Sequence, residues 1–339
     1  MLTNRPFLTG LQRALGASTA VIVPALLGVG LSVGASGLAP GEAEAQVAAQ
    51  CAPSRPFGSY PWGTTQTLAS LDRNYTVRVP ASYDGKKPMP VVVIFHGFGM
   101  NSALEASFDL LGSKATSKGF IVVYANGASV NNGPRSWNYF GKTALPNDVA
   151  YGEALFADLE SRFCVDSSRE FLVGHSAGAA FASYFACKSS REFAGVATVS
   201  ASQPPTTCAD ERTIPTLHFQ GVNDQRVPYD GGVVSGTQSG SYAGDPVPPV
   251  EQTVAAWAEQ NGCAATLTRT QVQYNLTRIA YTDCPAGLED VLYRIEGAGH
   301  GWPGSLLSVA AYMGVDTYSV PNVPASDMIV SFFQRHSQF

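Results

Sequence analysis

Charge is scarce in this sequence. Asp, Glu, Lys and Arg make up 14 % of its 339 residues, where about a quarter is usual. The charge present does not lean basic: 21 Lys and Arg stand against 26 Asp and Glu, a net charge of −5. With no basic patch or stripe, nucleic acid is not an expected partner. The six cysteines contain no Cys-x-x-Cys pair, which argues against a structural zinc site and against thioredoxin-like chemistry. No internal repeat and no Ser/Pro-rich linker interrupts the chain, and no second hydrophobic core stands apart from the first. Histidine is limited to five positions, few enough to weigh each as a general base.

Apolar residues, by contrast, are plentiful at 45 %, sufficient to fill the core of one large α/β domain. The first segment does not belong to that core. Arg5 and Arg13 precede an apolar stretch from Ala14 to about Val33, and Ala43-Glu44-Ala45 forms a small-x-small end. The run is nearly long enough to span a bilayer, but its glycines, Pro24 and the small-residue end favour a cleaved export signal over residues 1–45. Residues 46–339 are then expected as one catalytic domain, secreted (extracellular or periplasmic), monomeric and not membrane-bound once the signal is removed. An even number of cysteines in an exported chain points to disulfides. Local spacing suggests Cys187 with Cys208 and Cys263 with Cys284, which leaves Cys51 for Cys164.

Along the chain, Tyr75, Val77 and Val79 alternate as in a half-exposed strand stopped by Pro80. Met89 to Gly97, Gly119 to Gly127, Phe193 to Ala201 and Ile214 to Gly221 are continuous apolar runs typical of strands buried on both faces. Between them lie helical stretches at 104–118 and from Asp148 to Cys164, where Val149, Leu155, Leu159 and Phe163 recur at helical spacing. Pro249 to Cys263 reads as an amphipathic helix, Thr268 to Tyr281 and Asp290 to Ile295 as late strands, and Ala325 to His336 as a last helix. Apolar strands alternating with helices imply a mostly parallel sheet covered on both faces. In such sheets reactive residues collect just beyond the strand C-termini.

The stretch "FLVGHSAGAAF" (Phe171 to Phe181) runs from a strand through a glycine-flanked serine into a small-residue helix. It contains G-x-S-x-G in the strand–turn–helix context of a nucleophile elbow, with Ser176 at the turn. A serine hydroxyl needs a base, and the base an orienting acid. In this arrangement the chain order is serine, acid, histidine. His300, in the glycine-rich "EGAGHGWPG", is the expected base. His218 sits inside an apolar strand as a packed core residue, and His336 lies on the terminal helix facing solvent. Asp224, in the loop after a buried strand, is the expected acid; its alternative role is turn formation after Asn223, and Asp210, Asp230 and Asp290 are less well placed. The oxyanion donors are expected to be the N–H groups of Ala177 and Phe98, with Gly97 N–H as the open alternative to Phe98. His96 is expected to pin the "FHGFG" loop. The pattern describes acyl transfer through an acyl-enzyme, with no metal and no organic cofactor. Trp137, in "RSWNYF", and Trp302, just after His300, are candidates for the substrate surface, or else they cover the rim of the core.

At these residues the chain resembles the secreted feruloyl esterases and the poly(3-hydroxybutyrate) depolymerase-like esterases of the α/β-hydrolase superfamily. The resemblance covers nearly all of the mature chain. It is carried by "YTVRVPASYDG" at Tyr75–Gly85, "HGFG" at His96–Gly99, "CVDSSR" at Cys164–Arg169 and "VGHSAGAAFASYFAC" at Val173–Cys187, then by "GVNDQRVPY" at Gly221–Tyr229, "NGC" at Asn261–Cys263 and "GAGHGWPG" at Gly297–Gly304. It implies an α/β-hydrolase fold with helices on both faces of the sheet. It places the family triad on Ser176, Asp224 and His300, the oxyanion positions on Phe98 and Ala177, and it supports the cysteine pairing above. One departure is Ala179, where many relatives carry a second glycine after Gly178. The expected partner is an ester substrate. A feruloyl ester of plant cell-wall polysaccharide leads. A poly(3-hydroxybutyrate) depolymerase or other polyester or acetyl esterase comes second, an exported acyltransferase third, and a catalytically dead binding protein is disfavoured by the intact serine, aspartate and histidine.

Overall fold

The computed structural model describes residues 51, 64–68, 71, 73–129, 132–142, 144–205, 208, 212–235, 244–305 and 320–336. The expected signal at 1–45 and Asp210 lie outside them. The first half of the chain runs β1 (Thr64–Leu68), β2 (Arg73–Arg78), β3 (Met89–Phe95), α1 (Ser102–Phe108), α2 (Leu111–Ser117), β4 (Ile121–Ala125), the two-residue strands β5 (Ala128–Ser129) and β6 (Arg135–Ser136), α3 (Asp148–Arg162), β7 (Val165–His175) and α4 (Ala177–Lys188). The second half runs β8 (Gly195–Val199), β9 (Thr216–Gly221), the short pair β10 (Gly232–Val233) and β11 (Pro246–Val247), α5 (Val250–Gln260), β12 (Thr268–Gln273), β13 (Leu276–Tyr281), β14 (Asp290–Ile295) and α6 (Ala325–Arg335).

Ten of these strands form one sheet in the order β1-β2-β4-β3-β7-β8-β9-β14-β13-β12. The centre is parallel: β4, β3, β7, β8, β9 and β14 pair in register with one direction. Antiparallel strands flank it, β2 and β1 on one side, β13 and β12 on the other. The continuous apolar runs become the central strands because both faces there are covered. Val91, Val93 and Phe95 point to a cluster with Leu155, Phe156, Phe181 and Phe185 of α3 and α4. Val92 and Ile94 point the other way, to Phe108 and Leu111 of α1 and α2 and to Phe332 and Phe333 of α6. This is the α/β architecture with helices on both faces. No helix among the described residues is long and apolar enough to cross a membrane.

Three expectations need correction. The helical stretch at 104–118 is two helices, broken at Leu110, which takes φ 58°. The break follows from Asp109: its buried carboxylate accepts the Leu111 N–H (2.9 Å) and the Tyr124 hydroxyl (2.9 Å), and so diverts the backbone from a continuous helix. Thr268 to Tyr281 is a hairpin rather than one strand, turning at Tyr274 and Asn275. His336 is buried rather than solvent-facing, packed on Phe332 (4.5 Å between rings) and beside Glu289.

The cysteines pair as Cys51–Cys164, Cys187–Cys208 and Cys263–Cys284. The first ties the lone described residue near the N-terminus to the entry of β7. The second ties the last turn of α4 to the loop after β8.

Candidate active site

At the end of β7 the chain must turn from strand to helix within one residue. Ser176 takes φ 54° and ψ −120° there, outside the regions an L-residue ordinarily occupies. Its N–H donates to Val199 O of the neighbouring strand (2.8 Å), which holds the turn against the sheet. The two flanking glycines make room. A Cβ on Gly174 would lie 2.2 Å from Gly178 O, and one on Gly178 would lie 2.0 Å from Phe95 O. The turn lifts the serine side chain, half-buried, above the C-terminal rim of β7.

His300 arrives from the loop after β14 and Asp224 from the loop after β9. His300 Nε2 is 2.8 Å from Ser176 Oγ, and its Nδ1 is 2.8 Å from Asp224 Oδ2 and 3.0 Å from Oδ1. The arrangement suits a hydroxyl donating to Nε2 while Nδ1–H donates to the carboxylate. Asp224 is buried and fully engaged. Oδ1 accepts the N–H groups of Arg226 (2.8 Å) and Val227 (2.9 Å), and Oδ2 accepts Gln220 Nε2 (2.8 Å). The turn-forming role and the acid role are therefore one geometry: Oδ1 shapes the loop, and both oxygens face the imidazole.

The "FHGFG" loop sits across from the serine. Gly97 N–H donates to Glu105 Oε2 (3.3 Å), Gly99 N–H to Arg135 O (2.8 Å) and Met100 N–H to Gly97 O (3.1 Å). The described residues give the Phe98 amide no partner. With the Gly97 amide occupied, Phe98 N–H is the better placed of the two donors left open by the sequence. Ala177 is the first residue of α4, where a backbone N–H lacks an intrahelical acceptor and the helix dipole favours negative charge.

His96 is a support. Its Nε2 accepts Gly127 N–H (2.9 Å), so its Nδ1 carries the proton and donates to Gly97 O (2.8 Å). Burial lowers its pKa to about 3, which keeps it neutral. His218 is likewise held near 3 by burial, between the hydroxyls of Thr198 (2.7 Å) and Thr216 (3.0 Å) inside the sheet.

The assignment of Trp137 and Trp302 to the substrate surface does not hold. Each is 1 % exposed. Trp137 stacks on Phe181 (5.0 Å) and donates Nε1–H to His96 O (2.8 Å), and Trp302 donates to Ser326 Oγ (2.9 Å) and makes a T-shaped pair with His175 (6.2 Å). Both brace the loops that carry the site. In "RSWNYF" the exposed ring is Phe140 instead. Sequence reading also passed over Gln220 and Glu105. Gln220 stood as an amide at the C-terminal end of a fully buried strand, a detectable signal; Glu105 sat in an ordinary helical pattern and gave none.

Among the described residues one group has metal-ligand spacing, Cys263, Cys284 and Asp290, but its two sulfurs are joined in a disulfide. Burial raises the Asp290 pKa to about 7, against hydrogen bonds from Thr216 and Asn261 that lower it.

The Esterase family model matches residues 68–277 of this sequence. The chain belongs to that family. Over 242 residues it is 25 % identical to feruloyl esterase B of Piromyces equi, a stretch covering 67 % of this chain and 42 % of that protein. Over 165 residues it is 27 % identical to feruloyl esterase C of Emericella nidulans, covering 48 % of this chain and 58 % of that protein. The chain thus spans about half the length of the curated relatives it matches. Among solved structures, an acetyl xylan esterase from Aspergillus awamori superposes with a TM-score of 0.50 at 16 % identity, over 74 % of this chain and 99 % of that one. A ferulic acid esterase gives the same score and identity over 80 % and 97 %. At such identity the likeness is one of fold: the esterase family member has the α/β-hydrolase architecture.

Proposed function

We propose that this chain is a secreted serine carboxylesterase that hydrolyses feruloyl-type esters of plant cell-wall polysaccharide. The observation that carries the reading is the unbroken relay from Asp224 through His300 to Ser176, with both contacts at 2.8 Å. In the first half-reaction Ser176 Oγ attacks the ester carbonyl as His300 Nε2 takes its proton. Asp224 keeps the imidazole in the Nδ1–H tautomer and stabilises the imidazolium. The oxyanion that forms is met by the N–H groups of Phe98 and Ala177. His300 returns the proton to the leaving alcohol, and the acyl group stays on Ser176. In the second half-reaction His300 takes a proton from water, the hydroxide attacks the acyl carbonyl, and the carboxylic acid leaves as Ser176 is reprotonated. Export is supported by the three disulfides and by the leader read in the sequence.

The feruloyl preference rests on the relatives' names and on the resemblance described above. Its test is release of ferulate from methyl ferulate and from arabinoxylan, set beside clearing of a poly(3-hydroxybutyrate) film. Ferulate release without clearing is expected. Clearing without ferulate release would move the substrate to polyesters and leave the serine chemistry in place. Ser176→Ala should abolish every one of these activities while keeping the melting temperature within a few degrees of wild type. Hydrolysis unchanged in that variant would end the serine mechanism.

A further inference from the structure

Behind the relay lies a buried acidic side chain that the mechanism does not use. Glu105, on α1, is 0 % exposed. Its Oε2 accepts the Gly97 N–H at 3.3 Å and lies 3.7 Å from His175 Nδ1. His175 is the residue immediately before the nucleophile, itself buried, with its ring 5.7 Å from that of His300 and 5.6 Å from that of Phe108. A Cβ on Gly97 would stand 3.2 Å from His175 Nδ1, so the loop backbone lies directly on this imidazole.

The hydrogen bonds around Gly97 account for two successive peptide groups. In the His96–Gly97 peptide, the carbonyl accepts Trp137 Nε1–H at 2.8 Å and the N–H is taken by Glu105. In the Gly97–Phe98 peptide, the carbonyl accepts His96 Nδ1–H at 2.8 Å and Met100 N–H at 3.1 Å. A trans peptide holds its N–H opposite its carbonyl, so pinning Gly97 O aims Phe98 N–H the other way. Trp137 holds the carbonyl end of the His96–Gly97 peptide, and the N–H end, with no side chain at 97 to wedge it, takes a second hold. Glu105 supplies that hold.

We propose that Glu105 is a positioning residue for the oxyanion site. Its side-chain oxygen locks the His96–Gly97 peptide, with His175 as the wall against which the carboxylate rests, and the lock keeps the next amide, Phe98 N–H, aimed at the developing oxyanion. The proposal rests on the serine-esterase reading above. It predicts that what matters is an acceptor oxygen at the end of a two-methylene arm, and that the loss is felt in the transition state rather than in substrate binding.

The test measures kcat and KM for a p-nitrophenyl ester, per active site titrated with a fluorophosphonate, in Glu105→Gln, Glu105→Asp and Glu105→Ala. Gln keeps a carbonyl oxygen within reach of Gly97 and should hold kcat within about threefold of wild type. Asp keeps the charge but withdraws the oxygen by one methylene. Asp and Ala should lose roughly tenfold to a hundredfold in kcat with KM nearly unchanged, and affinity for an arylboronic acid, which forms a tetrahedral adduct, should fall in parallel. Full kcat per titrated site in the Asp or Ala variant would overturn the proposal, as would a Gln variant as slow as the Asp variant or a loss confined to KM. If the Ala variant does not fold, the contrast between Gln and Asp decides alone. Ser176→Ala run alongside separates the two claims: activity surviving there removes the serine reading, whereas an inert Ser176→Ala beside unimpaired Glu105 variants removes only the positioning role.

Discussion

Ser176 holds a backbone conformation, φ 54° and ψ −120°, that costs a non-glycine residue about 1–3 kcal/mol. The surrounding contacts impose it, because no side chain at 174 or 178 could share the space with the crossing backbone. Gly178→Ala should therefore destabilise the protein by about 3 kcal/mol or prevent folding; denaturant unfolding that shows less than about 1 kcal/mol of loss would mean that the turn is looser than described. At this scale the sequence was legible wherever a residue's role is written in backbone sterics or chain order. The glycines around Ser176 and the order of Ser176, Asp224 and His300 are of that kind. Legibility failed for Trp137 and Trp302. An aromatic ring beside a reactive loop has the same letter whether it faces substrate or core, and only the packing on Phe181 and the bond to Ser326 reveal which.

Between elements, the buried strands could be read because a strand covered on both faces is apolar throughout. The break at Leu110 could not, since it depends on Asp109 finding Tyr124, a residue on another element. The same holds for His336, buried where α6 meets the sheet. Just before β14, Glu289 joins three pieces of the fold: it accepts Arg278 Nη2 of β13 (2.9 Å), Arg335 Nη2 of α6 (2.6 Å) and His336 Nε2 (3.3 Å). Burial pushes its carboxyl up, but these donors and charges outweigh burial and hold its pKa at about 2. A carboxylate held below its unfolded value of about 4.3 contributes stability that is present above that pH and is lost as pH falls toward 2. Glu289→Gln should cost about 1–2 kcal/mol at pH 7, and the gap from wild type should close between pH 4 and pH 2. Thermal unfolding across that range checks it. Equal stability at pH 7, or a gap that persists at pH 2, would refute the tie.

For the molecule as a whole, the parallel centre of the sheet does the assembling. Ser176 and His300 are 124 positions apart, and Asp224 and His300 are 76 apart, yet each lies just past the C-terminal end of β7, β14 or β9. Strands that run in one direction deliver their ends to one rim, and that rim carries the candidate site. This much followed from the alternation of apolar runs and helical stretches. His96 was legible as the pin of its loop, though not its tautomer, which Gly127 fixes; the supports Glu105 and Gln220 were not, because they act through contacts between side chains and loops that the sequence pattern does not bring together. The central claim is that the rim performs covalent catalysis on the hydroxyl of Ser176. Its most direct test is to mix the protein with methyl ferulate, quench in acid within the first turnover, and map the digest by mass spectrometry. The account predicts a feruloyl group on the peptide bearing Ser176, absent in Ser176→Ala and strongly reduced in His300→Ala. Ester hydrolysis that proceeds with the acyl group on another residue, or that continues undiminished in Ser176→Ala, would contradict it.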